Sequence, residues 1–190
     1  RKLFIILIFL FSCEEIRDLL TPFYVDENGV TIKAKDWVSA GTTGQINGKT
    51  YIAIDDSTRN VSDFTSQYPE ITELSQLVTT LVTNMEGEAG IFPFLPPGLN
   101  AEDFKSIETW DVSNVTTMAG LFNTCNCFNP VFINIENIPN LSYWNVSSVI
   151  NMNRMFSHIY GAAMFNQDIS SWDVSNVTNM GWMFSGNNKF

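Results

Sequence analysis

The chain has 190 residues, 45% hydrophobic and 16% charged, with 20 Asp and Glu against 10 Lys and Arg for a net charge of −10. That length holds one large or two small domains, and the acidic balance disfavours binding to nucleic acid or to anionic lipid head groups. Three cysteines and one histidine leave little material for a zinc site.

Arg1 and Lys2 precede a nine-residue apolar run, Leu3 to Phe11. A bilayer span needs roughly 20 apolar residues, so the run is too short to cross a membrane. A basic start, a short apolar stretch and a small residue before a cut predict a secretory signal over 1–12. Leu10-Phe11-Ser12-Cys13 resembles a bacterial lipobox, which makes Cys13 the expected lipidation site. Acylation there would bury alkyl chains at about 0.8 kcal/mol per CH₂ and tie the protein to a membrane. Glu14 and Glu15 follow at once, similar to the acidic surface-export signal of some Gram-negative lipoproteins.

Residues 13–21 read as a tether. Asn28-Gly29 and Asn47-Gly48 each lie between β-rich runs, and Asn-Gly accepts the positive φ of a tight hairpin turn. Residues 22–56 are therefore expected to form a small antiparallel β-module. Asp56 or Ser57 could cap a short helix over roughly 60–68. Residues 57–106 are expected to hold this linker helix and a degenerate capping coil. In that coil Val82-Thr83-Asn84-Met85 matches Val177-Thr178-Asn179-Met180 without a tryptophan before it. Pro93, Pro96 and Pro97 make Gly90 to Asn100 a loop.

The rest of the chain is organised by a repeat. Ile107 to Phe122 (IETWDVSNVTTMAGLF) recurs as Leu141 to Phe156 (LSYWNVSSVINMNRMF) and Ile169 to Phe184 (ISSWDVSNVTNMGWMF). Trp110, Trp144 and Trp172 mark one phase, Met118, Met152 and Met180 a second, and Phe122, Phe156 and Phe184 a third. The tryptophans are 34 and then 28 positions apart, so one loop absorbs insertions while the motif keeps its spacing. That is the behaviour of stacked units, none of which has enough apolar surface to fold alone. Ile169 to Val174 reads as a strand, Ser175-Asn176 as a turn, and Met183-Phe184 as a short helical turn. The nine Trp, Met and Phe residues are the expected repeat core.

Sharper readings of the motif compete with plainer ones. Asp111 and Asp173 could form a calcium ladder, but Asn145 interrupts it, and Asp, Ser and Asn close backbone turns through their side chains. Asn114, Asn145 and Asn176 sit in glycosylation sequons and read as turn formers. The tryptophan row could stack on sugar, yet an indole at fixed phase is more often core. Cys125 and Cys127 are too close to bridge without strain. They read as buried or free thiols, and His158 as a loop residue.

The pattern I-x-x-W-D-V-S-N-V-T-x-M-x-x-[LM]-F, with F-N-Q-D-I-S-S-W, resembles the BspA-like leucine-rich-repeat surface lipoproteins. The resemblance covers 107–190, extending over the decayed coil from 74. The amino-terminal stretch NGVTIKAKDWVSAGTTGQINGKTY also looks like the β-module ahead of such repeats in Bacteroidetes members. It implies a leucine-rich-repeat-like solenoid over 107–190 with short strands and short helical turns, cell-surface display, and in some members adhesion. It implies no catalytic residue. Because the chain starts at Arg1 and stops inside a repeat, both ends are expected to be truncated. The expectation is thus a non-catalytic lipoprotein anchored to the outer membrane through Cys13, binding an extracellular protein or glycan, with no metal and no cofactor. The alternative is a structural spacer that displays a further carboxy-terminal domain. An enzyme is disfavoured because a hydrolase needs a nucleophile, a base and an orienting group.

Overall fold

The computed structural model describes residues 19–58, 63–87, 104–123, 140–157 and 165–186. The signal segment with Cys13, the proline-rich loop, Cys125, Cys127 and His158 lie outside them. The strands are β1 (Phe23–Val25), β2 (Ile32–Ala34), β3 (Thr43–Ile46), β4 (Lys49–Asp55) and β5 (Leu77–Leu81). One α-helix, α1 (Phe64–Gln67), and 3₁₀ turns at Leu74–Gln76, Phe104–Thr109 and Leu141–Tyr143 complete the named elements.

Both Asn-Gly pairs turn the chain, by different means. β3 and β4 pair antiparallel with Ile46 opposite Lys49, leaving Asn47-Gly48 as a two-residue turn. Both turn residues have positive φ, 52° and 81°, the geometry whose twist matches the flanking strands. β1 and β2 pair antiparallel with Val25 opposite Ile32 across a longer loop. There only Gly29 is left-handed, at φ 73°. The Asn28 side-chain oxygen accepts from the backbone N–H groups of Val30 and Thr31, both at 2.9 Å, an Asx-type closure.

β4 is the central strand of a three-stranded sheet, ordered β3-β4-β5. Its period-2 alternation serves two cores. Ile52 and Ile54 enter the main cluster, while Tyr51 and Ala53 enter a smaller one with Phe23, Ile32, Ala34, Val38 and Val78. β2 docks alongside through the Ala34 N–H, which donates to Thr80 Oγ1 at 2.9 Å.

The expected fold class is corrected in three respects. The amino-terminal sheet is not purely antiparallel, because β5 pairs parallel with β4. β5 comes from the stretch read as a degenerate coil, so that stretch and the hairpin share one sheet. Above all, the leucine-rich-repeat-like solenoid is not formed. Among the described residues the architecture is two small sheets with one short helix, and 107–190 carries no named strand.

The cause is local. Ile/Leu-x-x-Trp has three-residue spacing, which puts both apolar side chains on one side of a 3₁₀ turn rather than alternating along a strand. The N–H groups of Trp110, Trp144 and Trp172 accordingly donate to the carbonyls of Ile107, Leu141 and Ile169. Next, Asp111, Asn145 and Asp173 each accept from the backbone N–H of the serine two residues on. That ends any extended run after Val112, Val146 or Val174. The turn at Ser175-Asn176 is present, closed by the Val177 N–H donating to Val174 O at 3.0 Å.

The motif copies still lie side by side. Single-residue parallel bridges join Asn84 to Thr117, Thr117 to Asn151, and Asn151 to Asn179. Residues 82–87 thus form the first of four tiers, and the three tryptophan copies form the others. The Met118 N–H donates to Asn151 O and the Met152 N–H to Asn179 O, both at 2.8 Å. The indole N–H of each motif tryptophan reaches back along the chain, to the preceding tier for Trp144 and Trp172 and to the 3₁₀ turn before β5 for Trp110. Trp110 Nε1 donates to Leu74 O at 3.0 Å, Trp144 Nε1 to Ile107 O at 3.2 Å, and Trp172 Nε1 to Leu141 O at 3.0 Å.

A tier of turns cannot be extended indefinitely without closing its first edge. Here Asp56 closes it, and neither Asp56 nor Ser57, the two candidates, caps the helix. Its Oδ1 accepts from the N–H groups of Thr83 and Asn84 at 2.9 and 3.1 Å, and its Oδ2 from Thr83 Oγ1 at 2.5 Å. In the later tiers a backbone carbonyl does this work. Thr116 O accepts from Ile150 and Asn151, and Ile150 O from Thr178 and Asn179. Helix α1 begins instead after Asp63, whose side chain makes no cap bond to the backbone.

Candidate binding surface

The nine residues of the expected repeat core separate into interior and surface. Trp110, Met118, Phe122, Met152 and Phe156 are fully buried, and Trp144 and Trp172 nearly so. Phe184 is partly buried against the same cluster. Met180 is a correction, being 41% exposed. Met118 and Met152 each have a following tier laid across them, and no described tier lies beyond Met180. The phenyl rings stack in file: Phe122 to Phe156 at 5.3 Å and 3° between planes, Phe156 to Phe184 at 5.6 Å and 9°. With the tryptophans inside, no indole platform is built from Trp110, Trp144 and Trp172.

The polar motif residues are spent on structure. Asn114 Nδ2 donates to Thr80 O and Asn176 Nδ2 to Ser147 O, both at 2.8 Å, so the first ties its tier to β5 and the second ties two tiers together. Asp111 is buried and accepts from Ser113 N and Oγ. Asp173 is exposed. Among the described residues no group of three metal-ligating side chains occurs. Asp111 Oδ2 makes no hydrogen bond among the described residues, but the Lys33 ammonium acts on this carboxylate across the junction with β2. Burial lowers the Lys33 pKa, but its hydrogen bond to Asp26 and the Asp111 charge outweigh that, for a net rise. The Lys33–Asp26 pair measures 3.0 Å.

The exposed residues of the tiers are rich in hydroxyls and amides. Thr83, Thr116 and Thr178 are exposed in one phase, with Ile150 as the apolar exception. An open depression of about 430 Å³ is lined by Asn140, Ser142, Gln167 and Asp168. Two tiers meet there, since the Leu141 N–H donates to Gln167 Oε1 at 3.2 Å. Hydrogen bonds from Ser170, side chain and backbone, hold the Asp168 carboxyl below the usual aspartate range, so it is charged at neutral pH.

Another phase of the tiers leaves no mark in the sequence. Two positions after the repeat methionine, Gly120, Arg154 and Trp182 all have positive φ, at 67°, 56° and 60°. Arg154 and Trp182 are exposed, the indole by 66%. Only superposing the copies on Gly120 could have hinted at the conformation, because neither arginine nor tryptophan favours it.

The tiers and the buried indoles together make a stack of turns with polar residues on its exposed side. Among the described residues no helix is long and apolar enough to cross a membrane. Residues 97–190 match the family described as Mycoplasma protein of unknown function, DUF285. The match spans just under half of the chain, takes in all three tryptophan copies, and begins after β5. No curated protein and no solved structure matches the chain.

Proposed function

We propose that the chain is a non-catalytic binding module displayed on a bacterial surface, held by lipid on Cys13, and that its stacked copies take an extracellular protein or glycan. It would then be a BspA-like surface lipoprotein in the broad sense of display and adhesion. The observation that carries this reading is the polar outer face with its depression at Asn140, Ser142, Gln167 and Asp168. Amides, hydroxyls and one carboxylate suit the hydroxyls of a sugar or the backbone of a peptide, and rigid neighbouring tiers hold them in place. The sequence adds the lipobox-like Leu10-Phe11-Ser12-Cys13.

Two experiments test the reading. The purified chain, applied to a glycan array and to a panel of matrix proteins, should retain at least one ligand specifically. Binding to none of them would refute the adhesive role. In cells, radiolabelled palmitate should enter the wild-type protein and not a Cys13→Ser variant, and equal labelling would refute the anchor.

A further inference from the structure

The phase occupied by Gly120, Arg154 and Trp182 is strained in two of its three copies. A left-handed backbone is free for glycine and unfavourable for a residue with a Cβ. The first tryptophan copy uses glycine, while the next two hold an arginine and a tryptophan in the same conformation. Such strain persists where the surroundings enforce it, and it concentrates at working sites. The enforcement is visible. The Arg154 N–H donates to Gly181 O at 2.9 Å, and Asn153 Nδ2 donates to the same oxygen at 2.9 Å. A Cβ on Gly181 would press on Asn153 Nδ2 at 2.8 Å, so this part of the ladder is closely packed.

The register sets Arg154 opposite Trp182 on the next tier, since Asn151 bridges Asn179 and the Arg154 N–H donates to the carbonyl of Gly181, the residue before Trp182. Both residues have nearly the same positive φ, 56° and 60°. Arg154 is exposed although a further tier follows it, and Trp182 is exposed on the last described tier. Among the described side chains of 106–186, Arg154 is the one cation, and no ion pair is found for it there. Arginine and tryptophan are also the residue types that most often dominate binding energies.

We infer that Arg154 and Trp182 form a recognition pair for a saccharide carrying a single carboxylate. This inference rests on the adhesive reading above and narrows it to a ligand class. The guanidinium offers two parallel donors to a carboxylate, and the exposed indole face accepts the apolar face of a sugar ring. Charge argues for one carboxylate on an otherwise neutral ligand. A polyanion would meet the net charge of −10 over the whole surface, whereas one carboxylate meets Arg154 within a screening length of about 8 Å.

The test uses the full chain with four probes: sialyllactose, a glucuronate-containing disaccharide, lactose and a polyglutamate peptide. Binding is read by intrinsic tryptophan fluorescence and by calorimetry. At least one acidic saccharide should bind and shift the emission, and lactose should bind about tenfold more weakly or not at all. Arg154→Gly and Trp182→Gly should each lower that affinity by about tenfold or more, with the melting temperature unchanged or raised, because glycine already serves this position in the first tryptophan copy. Loss of binding accompanied by a lower melting temperature would overturn the inference. Failure of both acidic saccharides, equal binding of lactose, or binding that both variants leave intact would also overturn it. Polyglutamate bound through the same pair would reassign the ligand to an acidic peptide. If lactose binds, or a matrix protein binds independently of the pair, the adhesive reading stands and only the inference falls. Failure of every probe, glycan array and protein panel sinks both.

Discussion

Replacing Asp56 with alanine should remove the carboxylate that stands where a preceding copy would present a carbonyl. Three donors lose their acceptor: the N–H groups of Thr83 and Asn84 and the Thr83 hydroxyl. The site is partly open to water, so each donor regains some solvation, and the loss per bond is below that of a buried one. At roughly 0.5–1 kcal/mol for each, the variant should be less stable by about 2 kcal/mol. Asp56→Asn keeps a carbonyl oxygen that can occupy the Oδ1 position, so it should lose about half as much. Urea unfolding of the full chain reads both directly. With a slope of about 2 kcal/mol per molar urea, the midpoints should fall by about 1 M and 0.5 M, with the slope unchanged. A shift below about 0.2 M for Asp56→Ala would refute the cap. Equal damage from alanine and asparagine would show that an acceptor in the carbonyl position is not what matters.

Further outcomes follow from the same geometry. Gly120→Ala puts a Cβ on a left-handed residue and drives it into the Gly87 carbonyl oxygen, so it should cost about 3 kcal/mol in urea unfolding. Trp144→Phe leaves the buried Ile107 carbonyl without its indole donor and should cost about 2–3 kcal/mol, whereas Trp182→Phe, at a side chain 66% exposed, should cost nearly nothing. Acid should destabilise the fold through depressed carboxylates. Burial pushes Asp55 up, but hydrogen bonds from Ser57 and Thr58 win and hold it below the ordinary value. Hydrogen bonds from Lys49 and Ser75 lower Glu73 in the same direction. A folded-state pKa below the unfolded one gives stability that is present above about pH 4 and is lost as the pH falls through the folded value. The urea midpoint should therefore drop below pH 4, and Asp55→Asn should flatten that drop.

Part of this arrangement can be read from the residues alone. The common offsets of Trp, Met and Phe identify equivalent positions, because the side chains that fill one interior must recur at one phase. Asn47-Gly48 announces its two-residue turn, since few other pairs accept two positive φ values. The strand expected at Ile169 to Val174 fails because three-residue apolar spacing and an aspartate two before a serine favour turns over alternation. β5 was hidden because Leu77 to Leu81 resembles a decayed copy of the motif, and its parallel partner β4 lies more than twenty residues earlier. Asp56 or Ser57 reads as a cap for the short helix over roughly 60–68, because a local partner is the default for an aspartate beside serine. Its true partners, Thr83 and Asn84, are distant in sequence. The exposed pair Arg154 and Trp182 left no signal, because its defining property is a backbone angle that sequence preferences argue against.

The tiers and the surface they display can be tested together through the five tryptophans, whose indole N–H groups are separable by nuclear magnetic resonance. Trp110, Trp144 and Trp172 donate to buried carbonyls of Leu74, Ile107 and Leu141, while Trp37 and Trp182 are 58% and 66% exposed. Transferred to deuterated water, the first three should exchange slowly and the last two within the dead time. If Trp144 exchanges as fast as Trp182, the copies are not stacked through their indoles. If Trp182 is protected, the face assigned to the ligand is not open.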